Sequence, residues 1–373
     1  KTYWSMIEKQ KIAAQIEPTR YGHQLYYNET LPLWTVGSSG WNGRAVVTLA
    51  TVSEDSIKLE EIGISGQPNF ALSIPNPINA PRMKSAKDDP YGCPSLSLDL
   101  AKKPDFTFAL IADPQFDREK SRATLIKKAE AAIAELNQLK PEMVFIAGDL
   151  VNNNLPEEWE LFNRTFAKLK PKKVVVPGNH DVLFNYDFIE KSYSSAPKKN
   201  PKYAAIVKKA LEQAKKQGFT GSTALFEKYT GSKPRQHIEH GRCSFITVPF
   251  LTMRADAEQI AYLRKELAKT KDKDHVFVIA HYPSLNAFGN NVQPKLGGDQ
   301  VLSMLLEHRV TGYLFGHRHR NGFRLHERTA HVLTDNTYTI HLLHVFKDRV
   351  ILGRKRVGSP LYEKLVIRSP RGR

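Results

Sequence analysis

Between residues 106 and 319 the chain repeats one pattern, a short apolar run followed at once by a side chain that can bind a metal ion. The runs are rich in β-branched residues and have the length of buried strands. The side chains that follow them are, in chain order, Asp113 with Gln115, Asp149, Asn179 with His180 and Asp181, His281, and His317 with His319. Because ligand sites form at the carboxyl ends of strands in open α/β sheets, this series predicts a metal site for more than one ion.

The same stretch alternates between predicted strands and predicted helices. Strands are expected at 106–111, 143–147 and 173–176, with amphipathic helices over 121–139 and 156–169 between them. Further core elements are expected at 243–248, 257–269, 275–280, 299–307 and 312–315, and hairpins of a second sheet at 322–325, 330–334, 340–346 and 350–356. A helix-bearing half followed by an antiparallel half predicts two sheets packed in a sandwich with helices outside.

The N-terminal part of the chain has a different character, rich in glycine, proline, serine and aromatic residues. A helix-like segment at 4–16 is followed by predicted strands at 45–52 and 56–62. The six prolines between residues 68 and 94 predict that no long regular element lies there. This part is either a domain of its own or an arm packed along the rest of the chain.

We therefore divide the chain into a β-rich N-terminal region with a linker, residues 1–103, and a second domain, residues 104–373. The second domain contains a basic insertion at about 185–240, with helices predicted at 204–217 and 223–229. An insertion directly after a ligand-bearing strand end is typical of a lid or a substrate wall. A surface excursion without function is the alternative.

The chain is strongly basic, with a formal net charge of +17. Residues 188–242 hold twelve Lys or Arg against four Glu, and residues 347–373 hold nine against two acidic residues. Such a concentration of positive charge favours anionic partners. A solvated face that only keeps the protein soluble is the alternative. Neither region has the aromatic spacing of a nucleic-acid module, so a nucleic-acid partner is not favoured.

Targeting signals give limited information on the compartment. No apolar run approaches the roughly 20 residues that a membrane-spanning helix needs. The sequence begins at Lys1 and carries Asn-x-Thr sequons at Asn28 and Asn163. A processed N-terminus favours a secreted or periplasmic protein, and the cytoplasm is the alternative.

Taken in order, the motifs resemble those of calcineurin-like metallophosphoesterases: Asp113-Pro114-Gln115, Gly148-Asp149, Gly178-Asn179-His180-Asp181, His281 and Gly316-His317-Arg318-His319. The resemblance covers roughly residues 105–345 and does not reach the N-terminal region. It implies a four-layer α/β/β/α sandwich and a centre with two divalent or transition metal ions, Mn, Fe or Zn. In this family such a centre hydrolyses phosphate esters.

The resemblance also implies a role for each motif residue. The implied metal ligands are Asp113, Gln115 and His319 for the first ion, Asn179, His281 and His317 for the second, and Asp149 as the bridge between both. Two ions that share a carboxylate can bind a bridging hydroxide and make it a nucleophile near neutral pH. His180 is implied to protonate the leaving oxygen or to stabilise its charge. Asp181, the other catalytic candidate, anchors the loop or orients His180.

Two positions depart from the usual motifs. The first motif commonly contains His where this chain has Gln115, although a subset of the family also has Asp-Pro-Gln; Gln115 is either a weak amide ligand or a partner of a bound water. Protein phosphatases of the superfamily carry Asp and Arg where this chain has Asn152 and Asn153. That difference removes a phosphate clamp. Arg318 and Arg320 supply positive charge there instead, or pair with acidic residues at the rim.

These features predict a phosphomonoesterase or phosphodiesterase acting on a small or lipid-like anion rather than a protein phosphatase. Tyr282, which follows a ligand histidine, is a candidate pocket-lining residue. The alternative from another class is a catalytically weak or inactive phosphoesterase-fold module that binds anionic ligands, and Gln115 is its main support. A nucleic-acid-binding protein is a third alternative.

Overall fold

The computed structural model describes residues 103–117, 122–182, 223–326, 329–337, 339–358 and 362–371, together with the backbone of the strands between residues 15 and 75. Several sequence-based expectations fall elsewhere. Most of the helix predicted at 4–16, the helix predicted at 204–217 and most of the basic insertion lie outside the described residues.

Two nine-stranded sheets form the middle of the molecule. The first sheet contains, in spatial order, β1 (Gln15–Thr19), β3 (Leu31–Gly37), β2 (Gln24–Asn28), β14 (Gly322–His326), β15 (Thr329–Leu333), β13 (Gly312–Phe315), β12 (His275–Ile279), β11 (Cys243–Thr247) and β10 (Gln236–His240). The second contains β4 (Val46–Val52), β5 (Ser56–Gly63), β6 (Pro68–Pro75), β18 (Tyr362–Arg368), β17 (Arg349–Arg356), β16 (Thr339–Val345), β7 (Phe106–Ile111), β8 (Met143–Ala147) and β9 (Lys172–Val176).

Helices cover the outer face of each sheet. The second sheet is covered by α1 (Arg122–Leu139), α2 (Pro156–Phe166) and the short α3 (Ala224–Thr230), and the first by α4 (Ala257–Ala268) and α5 (Gly298–Glu307). The four-layer α/β/β/α sandwich is therefore confirmed, and the helix boundaries lie close to the predicted ones. Within the described residues, no helix has the length and apolar character needed to cross a membrane.

Aromatic side chains fill the space between the two sheets. The ring of Phe245 on β11 lies 5.0 Å from that of Phe108, 4.9 Å from that of Phe145 and 5.3 Å from that of Phe277. All four side chains are at most 1% exposed, and burying each contributes roughly 1.5–3 kcal/mol. Because successive strand residues point to opposite faces, Ala109 of β7 packs instead with the helices on the outer side.

The C-terminal strands are shared between the two sheets, which corrects the predicted arrangement. β14 and β15 pair with each other, and β15 runs parallel to β13 in the first sheet. β16, β17 and β18 form an antiparallel run in the second sheet, where β16 pairs with β7. The expectation that the whole tail belongs to one sheet is wrong, because alternation within a strand does not specify which edge the strand joins.

The N-terminal strands continue both sheets. β2 pairs with β14, and β6 pairs with β18. The strands predicted at 45–52 and 56–62 are present as β4 and β5. The proline-rich stretch begins with β6, whose two prolines stand at its first and last residues, where a strand tolerates them best. The division of the chain at residue 103 stays a prediction.

The parallel strands of both sheets end at a common edge of the sandwich. β7, β8 and β9 run parallel in the second sheet, and β11, β12 and β13 run parallel in the first. The ligand-bearing strand ends therefore form two series, one from each sheet. The cluster that they build lies between the sheets rather than along one of them.

Candidate metal centre

The ligand-type residues stand where the chain turns sharply after a strand. Left-handed backbone angles, with φ between 41° and 74°, occur at Asp113, Gln115, Asp149, His317 and His319. Non-glycine residues pay roughly 1–3 kcal/mol for such a conformation, so the surrounding structure must hold each turn in place. Strain concentrated at the ends of several strands is typical of a functional site.

Two motif glycines allow one motif to approach the side chain of another. Gly148 has a φ of +84°, and a Cβ on it would lie 2.6 Å from Cγ of His281. A Cβ on Gly178 would collide with the carboxylate of Asp149. Neither position has room for a side chain, so these glycines permit the close approach of backbone and ligand side chains.

Asp149 is the centre of the cluster and is only 1% exposed. Its Oδ1 accepts the backbone N–H of His180 at 2.8 Å, while Oδ2 lies 3.1 Å from Nε2 of His281 and 3.3 Å from Nε2 of Gln115. Burial alone would raise the pKa of Asp149, but the charge and hydrogen bond of His281 lower it below its usual range. The carboxylate therefore stays ionised.

Among the residues that the structure describes, two groups of side chains offer ligand atoms within 4.8 Å of one another, and both contain Asp149. One group is Asp149, His281 and His317, and the other is Asp113, Asp149 and His319. Mixed carboxylate and imidazole donors suit Mn, Fe or Zn better than Ca. The donor set thus fits divalent transition metals, with Asp149 placed to serve both groups.

The side-chain oxygen of Asn179 lies beside both histidines of the first of these groups. Nδ1–H of His281 donates to the carbonyl oxygen of Ala147 at 2.9 Å, which turns Nε2 towards the cluster. Oδ1 of Asn179 lies 3.1 Å from that Nε2 and 3.0 Å from Nδ1 of His317. Asn179 therefore joins His281 and His317 as a neighbour of any ion held there.

The pKa values of the two histidines in this group shift in opposite directions. Burial would lower the pKa of His281, but the charge and hydrogen bond of Asp149 raise it to about 9. Burial and the positive charge of His281 in turn lower the pKa of His317 to about 3. A cation that enters must displace the proton of His281, so binding is coupled to proton release.

The second group is more open to solvent. Asp113 is 1% exposed and accepts the backbone N–H of His317 at 3.0 Å, while Nε2 of His319 lies 3.4 Å from its other oxygen. The His319 side chain is 40% exposed. Burial raises the pKa of Asp113, although His319 opposes that rise. Gln115 turns its amide nitrogen towards Asp149, and a rotation of the amide by half a turn would present its oxygen instead.

Replacing Gln115 with histidine is expected to change the metal affinity or preference of the Asp113 group. An imidazole is a stronger ligand for Zn and Fe than a neutral amide, and we expect tighter binding by roughly 10–100-fold, comparable to other changes beside a metal. Titration of both proteins with Mn and with Zn measures the metal affinity. Gln300→His, on the exposed face of α5, is the control for an added histidine. An affinity unchanged for both metals would place Gln115 outside the ligand set.

His180 lies beside the cluster without being part of either ligand group. Its Nδ1–H donates to the carbonyl oxygen of Asn152 at 2.7 Å, and its backbone N–H is held by Asp149. A carbonyl can only accept, so Nδ1 keeps its proton and Nε2 remains for proton transfer. This arrangement is compatible with the general-acid role implied by the resemblance, and the role stays a prediction.

Asp181 is completely buried and holds the loop rather than the His180 ring. Its two oxygens accept the backbone N–H groups of Val151 at 3.0 Å and Gly178 at 2.8 Å. Burial and the negative charge of Asp149 raise the pKa of Asp181 to about 8. In the described part of the chain no hydrogen bond joins its carboxylate to His180. Of the two implied roles, loop anchoring is the one that these contacts favour.

Some supporting groups were not predicted from the sequence. The carbonyl oxygens of Ala147 and Asn152 orient two histidines, and a backbone acceptor leaves no side-chain signal in a sequence. The predicted pocket residue Tyr282 is 8% exposed and stacks on His317, with ring centroids 4.0 Å apart. Its position directly after the predicted ligand His281 was the available signal.

Comparisons with known proteins agree with this geometry. A family model described as calcineurin-like phosphoesterase matches residues 106–321. The protein T07D4.2 of Caenorhabditis elegans, described as a UPF0046 protein, is 31% identical over 93 residues, covering 24% of this chain and 23% of that protein. The probable glycerophosphodiester phosphodiesterase GpdQ of Arcobacter nitrofigilis is 36% identical over 69 residues, covering 16% and 25%. The chain thus spans about a quarter of these curated relatives.

A solved structure resembles the chain over most of its length. The purple acid phosphatase PPD1 from yellow lupin (Lupinus luteus) seeds matches with a TM-score of 0.52 and 11% identity, covering 92% of this chain and 68% of that one. At this identity the likeness shows the fold alone. The family model, in contrast, matches more than half of the chain and includes the motifs that build the cluster. The protein therefore belongs to the calcineurin-like phosphoesterase family.

Proposed function

We propose that this protein is a metal-dependent hydrolase of phosphate esters that works through a two-metal centre. The observation that carries the proposal is the shared carboxylate: Asp149 belongs to both groups of ligand atoms, and it is buried and ionised. Two cations that share one carboxylate would activate water as the nucleophile and neutralise charge on the phosphoryl oxygens.

The chain's own residues would orient the metal ligands and supply the proton for the leaving group. In the group of Asp149, His281 and His317, Ala147 would orient the ring of His281 through its carbonyl oxygen, and Asn179 would add its side-chain oxygen. His180, held on both its backbone and its ring, would give a proton to the leaving oxygen from Nε2. The cluster would thus combine ion binding with a positioned acid, an arrangement suited to phosphoester hydrolysis.

The substrate class extends to both monoesters and diesters. Family membership supports phosphate esters in general. The Arcobacter relative is named as a probable glycerophosphodiester phosphodiesterase, which supports the inclusion of diesters, although the match covers only 25% of that protein. We accordingly propose a phosphomonoesterase or phosphodiesterase for a small or lipid-like anion.

The test is hydrolysis before and after metal removal. The protein is stripped with a chelator and reloaded separately with Mn, Fe or Zn, and bound metal and the hydrolysis of p-nitrophenyl phosphate and of its diester are measured. We expect up to about two ions per chain, loss of activity on stripping and its recovery on reloading. A protein that hydrolyses neither ester after reloading would favour the inactive binding module, and one that also binds no metal would contradict the proposed two-metal centre.

A further inference from the structure

Arg318 stands between the two histidines of the last motif, on the wall of the candidate metal centre. Its backbone N–H donates to the carbonyl oxygen of Gly316 at 2.9 Å and closes a tight turn. Its side chain is half-buried and runs towards Gly289, where a Cβ would lie 3.6 Å from Nη2. Its positive charge contributes to the low pKa of His317, after burial and His281. Arg318 thus sits within the motif that carries His317 and His319, and its charge acts on that cluster.

Within the described part of the chain, the guanidinium of Arg318 lacks partners of the kind that Arg320 and Arg242 have. Its Nε is buried and donates to no acceptor in the described part of the chain, and no ion pair there includes it. By comparison, Arg320 donates to the carbonyl oxygen of Phe288 at 2.9 Å, and Arg242 forms a bidentate pair with Asp274. A buried donor without an acceptor is costly in free energy and calls for a ligand that supplies one.

The residues that might otherwise bind phosphate here are already engaged. Asn153 donates from its backbone and its side chain to the carboxylate of Glu158, both at 2.7 Å. The side-chain Nδ2 of Asn152 donates to Oδ2 of Asp117 at 3.4 Å, and its backbone carbonyl oxygen accepts from Nδ1 of His180. Neither asparagine carries charge, so Arg318 is the cation placed to take the clamping role.

We propose that Arg318 forms an anion subsite beside the metal centre and binds non-bridging oxygens of the substrate's phosphoryl group. A guanidinium presents a fork of donors that matches two phosphate oxygens. A monoester offers one more charged non-bridging oxygen than a diester, so this subsite makes the centre prefer monoester dianions. The proposal rests on the proposed function and deepens it by ordering the two substrate classes.

The test compares Arg318→Gln with a matched control, Arg320→Gln. The control removes the same charge two residues away, at an arginine whose guanidinium donates to the carbonyl oxygen of Phe288. For metal-loaded protein, kcat/KM for p-nitrophenyl phosphate and for its diester is measured together with inhibition by inorganic phosphate. We expect Arg318→Gln to weaken phosphate inhibition and monoester turnover by roughly 10–100-fold, with a smaller loss for the diester. Arg320→Gln should change each value by less than about threefold.

Several outcomes would overturn the subsite. Equal losses of kcat/KM in Arg318→Gln and Arg320→Gln would show that only the overall positive charge of this region matters. Equal losses for monoester and diester in Arg318→Gln would contradict the proposed preference for monoesters. Loss of bound metal in Arg318→Gln would make Arg318 a support of the ligands. If the wild type hydrolyses neither ester, the proposed function fails, yet calorimetric titration of the metal-loaded protein with phosphate still tests Arg318. Equal phosphate affinity of wild type and Arg318→Gln in that titration would end the proposal.

Discussion

Replacing Asp149 with asparagine is expected to remove metal from both ligand groups at once. Asparagine is neutral and has a single acceptor oxygen, whereas the two oxygens of Asp149 face Gln115 and His281 on one side and the backbone of His180 on the other. Loss of an outer partner of a metal ligand already costs roughly 10–100-fold in metal affinity or activity, so for the shared carboxylate itself we expect kcat/KM to fall by at least about 10²-fold. Metal analysis and steady-state kinetics measure the two effects.

A buried carboxylate outside the cluster provides the matched control. Asp274 is 3% exposed and pairs with Arg242, so Asp274→Asn tests the cost of neutralising a buried, paired aspartate as such. We expect that control to lower thermal stability while metal content stays at the wild-type level. If Asp149→Asn kept one of two ions, the carboxylate would serve a single group. If it kept the full metal content, the shared-ligand arrangement would be wrong.

The clustering of the ligand-type side chains could be predicted from the sequence because its signal is local. Each ligand-type residue follows a strand directly, and parallel strands bring their carboxyl ends together without any knowledge of the rest of the chain. Asp149 is accordingly found with His281 and His317 in one group of ligand-type atoms and with Asp113 and His319 in the other. The alternation of strands and helices predicted two packed sheets with helices outside, and the resemblance to the family implied the four-layer α/β/β/α sandwich.

Long-range pairing was harder to predict, since it depends on which edges remain free once the core strands have paired. The pairing of β16 with β7 and of β15 with β13 divides the tail between the sheets, and the period of each strand is the same in either sheet. The backbone groups that orient His281 and His180 could not be predicted, for a related reason. Ala147 and Asn152 act through carbonyl oxygens, which every residue carries, so only the folded chain distinguishes them.

Replacing His180 with alanine is expected to slow turnover by roughly 10²–10⁴-fold while leaving metal content nearly unchanged, the usual range for the loss of general acid–base catalysis. His180 contributes no atom to either ligand group, and its ring is held by the carbonyl oxygen of Asn152. The adjacent Asn179→Ala serves as the contrast, because the Asn179 oxygen lies within 3.1 Å of two ligand histidines and its loss should reduce bound metal. Loss of metal in His180→Ala would make His180 a ligand.

The leaving group decides whether His180 acts as an acid. A nitrophenolate leaves without a proton, whereas an alkoxide needs one, so an acid at this position matters most for alkyl esters. We therefore expect the His180→Ala loss to be smaller for a nitrophenyl ester than for an alkyl phosphate, by at least about tenfold. Equal losses for both esters would assign His180 to binding or to charge stabilisation instead. Because Nδ1 stays protonated against the Asn152 carbonyl, the proton that moves is the one on Nε2.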